Sequence, residues 1–289
     1  MIRVCLQGIS KSFHDHPVLV RQSVQFEAGH IYGIVGENGC GKSVLFKCIC
    51  GLLPLSEGRV DVWEDHKSVA GKPVFGVVID GAGFIESLSG KRNLMMLADV
   101  RGRIGSKQVD FAMRQVGLNP ADRKKVRHYS LGMRQRLAIA QALMEEPPVL
   151  LLDEPLNGLD FESVKGVYRM LNEQKRLGRV ILVASHHEED IRLLCDTVYW
   201  LKNGELKPIE DVSKYKMYDR ERMKEGDENA ETPLRNDQEQ EIWKNFIKDE
   251  KKPVFCRLMN RGCFLGRSGK KIRSLRAERM KMEREDPHE

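Results

Sequence analysis

Residues 36–43 read Gly-Glu-Asn-Gly-Cys-Gly-Lys-Ser and fit the pattern G-x-x-x-x-G-K-S. The segment follows an apolar run that predicts a strand and precedes a predicted helix, which is the context that this pattern requires. Glycines let successive backbone N–H groups surround a phosphate, and the N-terminus of a helix adds partial positive charge. The segment therefore predicts a phosphate-binding loop, with an ordinary glycine-rich turn as the alternative.

Each residue of this loop has an expected role. Lys42 is expected to contact the β- and γ-phosphates of a nucleotide, and the hydroxyl of Ser43 is expected to bind Mg²⁺. The other loop residues are expected to bind the phosphates through their backbone or side chains: Gly36, Glu37, Asn38, Gly39, Cys40 and Gly41. Because Cys40 lies beside Lys42 and a helix N-terminus, we expect these charges to lower the pKa of its thiol.

Later stretches add groups that act on a bound phosphate. Asp153 and Glu154 end an apolar strand, and ligands of open α/β sheets gather at the carboxyl ends of strands. One carboxylate can hold Mg²⁺ and the other can orient water, whereas a helix cap is the simpler alternative. Ser130 opens a long helix, which favours an anion site or a plain capped helix. His186 follows another buried strand, where it can hydrogen-bond a γ-phosphate or serve a structural role.

The elements that position these residues alternate between strands and helices. Apolar runs predict strands at residues 30–36, 74–80, 148–153 and 179–185, and the long runs among them are typical of buried parallel strands. Helical periodicity marks segments 43–50, 107–116, 131–144, 161–177 and 188–194. Asn203-Gly204 between short apolar runs predicts a β-hairpin. The sequence is thus that of an α/β domain.

Composition limits the class of protein. Of 289 residues, 41% are hydrophobic and 31% are charged, which is typical of soluble globular proteins. No run approaches the roughly 20 apolar residues that span a bilayer, and the first residues do not have the apolar core of a secretion signal. Seven cysteines without paired spacing argue against a disulfide framework or a zinc site. We therefore expect an intracellular protein.

The chain is predicted to divide near residue 207. Residues 1–207 hold the α/β domain, whereas 208–289 form a charged C-terminal extension that is expected to be partly helical or disordered. The excess of positive charge lies in residues 251–284, after a stretch that leans acidic. Such a basic tail is compatible with RNA or an anionic lipid surface, although a solvated tail is the simplest interpretation.

Taken together, the motifs of residues 1–207 resemble the nucleotide-binding subunit of an ATP-binding cassette (ABC) transporter. The resemblance implies a P-loop NTPase of the ABC ATPase fold, with a core sheet, a helical subdomain at about 84–145 and an antiparallel β edge. It implies ATP and Mg²⁺ as cofactors and gives a role to each matched residue: adenine stacking for Phe13, the signature motif for Ser130 and Gly132, the metal for Ser43 and Asp153, catalysis for Glu154, Lys42 and His186, and the D-loop for Asp160.

Three motifs depart from the common pattern of this family. Leu131 and Met133 replace a glycine and a glutamine of the signature motif, and Cys40 occupies a position where small residues are frequent. Asp80 stands where the family usually has a glutamine, and we expect it to contribute to the metal site. The signature and the acidic residue both resemble the bacitracin- and lantibiotic-resistance branch of exporters.

The family resemblance implies an ATPase that powers a separate multi-span membrane permease, as an exporter of drug, peptide or lipid-like cargo. Two cassettes would stack head-to-tail, as a homodimer or a heterodimer, on the inner face of the cell membrane, and residues 83–94 would contact the permease. An ABC-type ATPase that acts on ribosomes or nucleic acid is the alternative, but it is disfavoured because the chain has one cassette and no sustained heptads. A small-molecule kinase shares only the phosphate-binding loop.

Overall fold

The computed structural model describes residues 1–64, 67–68, 75–81, 83–186 and 188–209, without side-chain detail at 67, 68, 188 and 189. All of them belong to one unit of the chain, Met1–Glu228. The predicted C-terminal extension lies outside the described residues, apart from its first two positions. Within the described part of the chain, no helix is both long and apolar enough to cross a membrane.

A six-stranded sheet forms the centre of the described domain, in the order β10-β9-β3-β8-β7-β6. All neighbouring strands of this sheet pair in parallel except β10, which pairs antiparallel with β9 at one edge. The strands are β3 (His30–Val35), β6 (Phe75–Val78), β7 (Val149–Asp153), β8 (Val180–Ala184), β9 (Thr197–Lys202) and β10 (Glu205–Ile209). Every residue of β8 is buried, which explains why its sequence is uninterrupted by polar residues.

A second, antiparallel sheet has the order β2-β1-β4-β5. Its strands are β1 (Ile2–Phe13), β2 (His16–Glu27), β4 (Glu57–Glu64) and β5 (Lys67–Ser68). Apolar side chains of β1 and β2 join those of helix α1 and the six-stranded sheet in one core, which includes the fully buried Phe26 and Phe46. The α/β fold class and the antiparallel edge implied by the family resemblance are therefore confirmed.

The helices are α1 (Lys42–Ile49), α2 (Gly90–Arg101), α3 (Ser106–Gln115), α4 (Leu131–Leu143), α5 (Phe161–Arg176) and α6 (Glu188–Leu194). All helices predicted from periodicity occur, with closely matching ends. Helix α2 was not predicted, because Met96, Leu97 and Val100 are exposed and its apolar residues do not lie on a single buried face. Helices α2, α3 and α4 all lie between β6 and β7 in the chain, within the predicted helical subdomain.

The predicted hairpin joins β9 to β10. Asn203 and Gly204 have φ angles of 51° and 78°, as a two-residue turn with two left-handed residues requires. The buried amide of Gln22 donates to the carbonyl oxygen of Gly204 at 2.6 Å and accepts from the backbone N–H of Leu206 at 2.7 Å. Strand β2 is thereby attached to the hairpin.

The parallel pairing brings four strand ends to one edge of the sheet. Strand β3 leads into the phosphate-binding loop, and Asp80 follows β6. Asp153 ends β7, whereas His186 follows β8. Residues that are far apart in the sequence therefore meet at this edge, as expected for ligand sites of open α/β sheets.

Candidate active site

The loop between β3 and α1 has a backbone that only glycine adopts readily. Gly36 and Gly41 have φ angles of 157° and 108°. A Cβ atom at Gly36 would lie 2.5 Å from the carbonyl oxygen of Leu201, and one at Gly41 would lie 2.7 Å from a methyl carbon of Val18. Both contacts are closer than packing allows. The glycines therefore let the loop turn tightly against the hairpin and β2.

Lys42 begins α1 and is 7% exposed. Its Nζ donates to the carbonyl oxygens of Gly36 and Glu37 at 2.8 and 3.0 Å. These two oxygens satisfy the ammonium group inside the loop. Helix α1 has no capping side chain at its N-terminus, so the partial positive charge of the helix faces the same loop.

The hydroxyl of Ser43 donates a hydrogen bond to Oδ2 of Asp153. Burial raises the pKa of the Asp153 carboxyl, the Ser43 hydrogen bond opposes this effect, and the negative charges of Glu154 and Asp80 add to it. A hydroxyl and a carboxylate in contact are hard oxygen ligands of the kind that Mg²⁺ prefers. The donor set of Ser43 and Asp153 therefore fits a magnesium ion.

Glu154 and His186 form a second polar pair. Oε1 of Glu154 lies 2.8 Å from Nδ1 of His186. The backbone of Glu154 has a positive φ angle of 50°, and its N–H donates to the carbonyl oxygen of Ala184 at 2.8 Å. Its own carbonyl oxygen accepts from Nε2 of Gln135 at 3.0 Å. The unusual backbone of Glu154 is therefore fixed from both β8 and α4.

A cavity of about 480 Å³ unites most of these groups. Its lining includes predicted site residues from the loop and from the strand ends, namely Asn38, Gly39, Gly41, Lys42, Ser43, Asp80, Asp153 and Glu154. Five further lining residues were not among the site residues predicted from the sequence: Val44, Val78, Gly81, Gln135 and Asn157. The sequence alone could not assign Gln135 to the site, because its contact with Glu154 arises only in the fold.

Asp80 lies in this cavity, but its contact differs from the expected one. Its Oδ2 contacts Nζ of Lys47, in the last turn of α1. Asp80 has a left-handed backbone, with a φ angle of 54°, which an aspartate tolerates better than most residues. No hydrogen bond connects it to Ser43 or Asp153 among the described residues, so its role at the metal site stays a prediction.

The signature motif and the D-loop meet each other outside that cavity. Ser130 caps α4 by accepting from the N–H of Met133 at 3.2 Å, and Asp160 caps α5 by accepting from that of Ser163 at 2.9 Å. A Cβ atom at Gly132 would lie 3.0 Å from the carbonyl oxygen of Gly158. Neither Ser130, Gly132 nor Asp160 lines the cavity.

Phe13 ends β1 and is 42% exposed. Nζ of Lys11 lies 5.0 Å from the centre of its ring. Phe13 does not line the cavity. Phe13 is therefore partly exposed on the β1–β2 hairpin with Lys11 over its ring, and its stacking on adenine stays a prediction.

The prediction that neighbouring charges lower the pKa of the Cys40 thiol is wrong. Burial raises the pKa of the Cys40 thiol, and the charge of Lys42 offsets this effect only in part. The half-buried sulfur loses more favourable hydration as a thiolate than it gains from the lysine. At neutral pH Cys40 is therefore a thiol that fills the space beside Gly36.

Comparison with known proteins agrees with this site. The ABC transporter family matches residues 19–157. YybJ of Bacillus subtilis (strain 168), an uncharacterised ABC transporter ATP-binding protein, is 35% identical over 207 residues, which cover 71% of this chain and 95% of YybJ. The bacitracin transport ATP-binding protein BcrA of Enterococcus faecalis is 32% identical over 222 residues, 75% of this chain and 71% of BcrA.

The fold has the same relatives. A solved ATP-binding subunit of an ABC transporter superposes with a TM-score of 0.65 at 24% identity, over 75% of this chain and 93% of that one. The chain belongs to the ABC transporter family of ATP-binding proteins and carries its ATPase domain. The resemblance to the bacitracin-resistance branch is also confirmed.

Proposed function

We propose that this chain is the ATP-hydrolysing subunit of an ABC exporter and that it powers a separate multi-span membrane permease. One observation carries the proposal. Lys42, Ser43, Asp153 and Glu154 line one cavity, whereas the exposed Ser130 lies outside it. The chain thus has the groups for binding and cleaving a nucleoside triphosphate on one surface and a second anion-binding helix end on another.

Binding of the triphosphate relies on the loop and on α1. The ammonium group of Lys42 exchanges the carbonyl oxygens of Gly36 and Glu37 for phosphate oxygens, which carry more negative charge. Ser43 and Asp153 would hold Mg²⁺, which, when bound, neutralises charge on the β- and γ-phosphates. Phe13 stacks on the adenine ring.

Hydrolysis relies on Glu154. Its carboxylate accepts a hydrogen bond from the attacking water and orients it toward the γ-phosphate. His186 contacts that carboxylate and hydrogen-bonds the γ-phosphate, so the two side chains hold water and phosphate in line. Because phosphoryl transfer depends mainly on positioning, a fixed backbone at Glu154 favours a high rate.

A second cassette completes the site. Ser130 caps the N-terminus of α4, which attracts anions, yet it does not line the cavity of its own chain. Two cassettes that stack head-to-tail place Ser130 and Gly132 of one chain over the nucleotide of the other, with Asp160 at the contact between them.

The permease contacts the segment that follows Asp80. Residues 83–94 include Ile85, whose side chain is 46% exposed, and the following turns of α2 carry Met96, which is 47% exposed. Large apolar side chains that stay exposed are candidates for a contact with a partner protein. The similarity to the bacitracin transport ATP-binding protein BcrA supports an exporter of drug, peptide or lipid-like cargo. The cassette would then lie on the inner face of the cell membrane as a peripheral subunit.

Purification from native membranes tests this proposal. We expect the tagged chain, extracted in detergent with ATP, to carry along a multi-span membrane protein and to hydrolyse ATP, and we expect Lys42→Ala to abolish hydrolysis. Co-purification of ribosomal proteins or RNA in place of a permease would instead support the nucleic-acid alternative.

A paired substitution tests the docking surface. Ile85→Glu with Met96→Glu places two charges on it and is expected to reduce the recovered permease at least tenfold. Leu177→Glu is the matched control, because Leu177 is 60% exposed and lies at the end of α5. Equal loss of permease from both variants would show that the segment after Asp80 is not the contact.

A further inference from the structure

Asp80 and Glu154 occupy equivalent positions on neighbouring strands. Val78 pairs with Leu152 in the parallel ladder of β6 and β7, and Asp80 and Glu154 each lie two positions after their member of this pair. Both have left-handed backbones, with φ angles of 54° and 50°. Two carboxylates therefore leave the same edge of the sheet side by side and line the same cavity.

These two carboxylates have different partners. Glu154 contacts His186, whereas Asp80 contacts the ammonium group of Lys47. Lys47 belongs to α1, the helix that begins with Lys42 and Ser43. The ion pair thus connects the segment after β6 to the helix that carries the phosphate and metal ligands.

The ion pair is exposed enough to exchange. The side chains of Lys47 and Asp80 are 34% and 59% exposed, and ion pairs at such positions contribute little to stability because water and salt screen them. A divalent cation held by Ser43 and Asp153 in the same cavity is a stronger counter-charge for a carboxylate than a hydrated ammonium group.

We propose that Lys47 is a positioning residue that holds Asp80 away from the metal site in the nucleotide-free chain, and that Asp80 exchanges Lys47 for Mg²⁺ when the nucleotide binds. The inference rests on the proposed function, since it takes Ser43 and Asp153 as the metal ligands. Asp80 begins the segment that leads to residues 83–94, so this exchange makes the position of the permease-contacting segment depend on the metal and nucleotide.

The test is the Mg²⁺ dependence of nucleotide binding, which requires no turnover. Binding of the fluorescent analogue mant-AMPPNP to the full chain is measured from EDTA to saturating Mg²⁺. Lys47→Met releases Asp80, so we expect half-maximal binding at an Mg²⁺ concentration at least threefold lower than in the wild type. Asp80→Asn removes the carboxylate that would bind Mg²⁺, so we expect a concentration at least threefold higher.

Two further variants separate positioning from a general effect. The double variant Lys47→Met with Asp80→Asn should match Asp80→Asn alone, because Lys47 acts only through Asp80. Lys47→Arg keeps the positive charge and should restore the wild-type Mg²⁺ dependence. Lys175→Met is the matched control, because Lys175 forms a similarly exposed ion pair with Asp196 and should leave the Mg²⁺ dependence unchanged.

The outcomes distinguish this inference from the proposed function. A wild-type chain that binds no nucleotide at any Mg²⁺ concentration contradicts the proposed function. Magnesium-dependent binding that is the same in the wild type, Lys47→Met and Asp80→Asn contradicts only the exchange at Asp80. A higher Mg²⁺ requirement in Lys47→Met also overturns it, since Lys47 would then assist the metal rather than compete with it. Thermal melting of each variant verifies that it is folded.

Discussion

Nε2 of Gln135 donates a hydrogen bond to the backbone carbonyl oxygen of Glu154, at 3.0 Å. Gln135 lies on α4, the helix that begins with the signature motif, whereas Glu154 follows β7. The contact connects the helix of the signature motif to the backbone of Glu154, the proposed catalytic residue, within one chain. It fixes a residue whose φ angle of 50° is unfavourable for glutamate.

We expect Gln135→Leu to lower the maximal rate of ATP hydrolysis about three- to tenfold, the effect of losing one hydrogen bond of ordinary strength, and to leave ATP affinity within twofold of the wild type. Leucine removes the amide donor at similar length, so Glu154 loses its constraint while the phosphate-binding loop is unaffected. Steady-state kinetics and equilibrium binding of ATP measure the two effects separately. A large loss of affinity with an unchanged maximal rate would contradict a positioning role.

Glu154→Gln is expected to bind ATP and to hydrolyse it at least a hundredfold more slowly, because the amide cannot accept a proton from water as the carboxylate does. The amide keeps the shape of the side chain and can still contact His186. Two chains should therefore remain associated around unhydrolysed ATP. Size-exclusion chromatography with Mg-ATP measures this association, and a variant that stays monomeric at saturating ATP would argue against the assigned role.

The strand ends and the phosphate-binding loop could be predicted from the sequence because their signals are local. An uninterrupted apolar run such as β8 indicates a buried strand, and the residues directly after it must lie at the edge of the sheet. Helix α4 was likewise predicted from its serine cap and its periodicity, and the turn at Asn203-Gly204 from its two residue types.

The contacts that refine the site could not be predicted in this way. Gln135 meets Glu154, and Lys47 meets Asp80, only because parallel strands and their helices bring distant segments together. The predicted lowering of the Cys40 pKa was wrong for the same reason. The sequence shows the charge of the neighbouring Lys42, but it does not show how the loop packs, and burial of the thiol has the larger effect on the pKa.

Phe13 is expected to recognise adenine rather than phosphate. Stacking of a base on an aromatic ring contributes roughly 1–3 kcal/mol, so Phe13→Ala should weaken ATP binding about tenfold and leave the binding of inorganic triphosphate unchanged. Phe13→Tyr keeps the ring and should retain wild-type affinity. Phe111→Ala is the matched control, since Phe111 is also an exposed aromatic residue, at 54%, but lies on α3.

Competition of ATP and of inorganic triphosphate against mant-AMPPNP measures both affinities. Equal affinity of Phe13→Ala and the wild type for ATP would place the adenine elsewhere on the chain. An equal loss for ATP and triphosphate would show that the substitution disturbs the phosphate-binding loop instead.

Cys40 is expected to react slowly with maleimide at pH 7, because burial raises the pKa of its thiol and only the thiolate reacts. Below that pKa, each added pH unit should increase the labelling rate about tenfold, as the thiolate fraction grows. An unburied thiol such as glutathione has a lower pKa, so its labelling rate should be higher at pH 7 and should level off at a lower pH. Mass spectrometry of partly labelled protein gives the rate at Cys40 itself.

Mg-ATP should slow the labelling of Cys40 further, because bound phosphates cover the loop and their negative charge disfavours a thiolate beside them. Cys40→Ala should retain ATP hydrolysis and resist inactivation by maleimide. Faster labelling of Cys40 than of glutathione at pH 7 would show that the charge of Lys42 outweighs burial after all. Labelling of Cys40 that Mg-ATP does not slow would mean that the nucleotide leaves this face of the loop exposed.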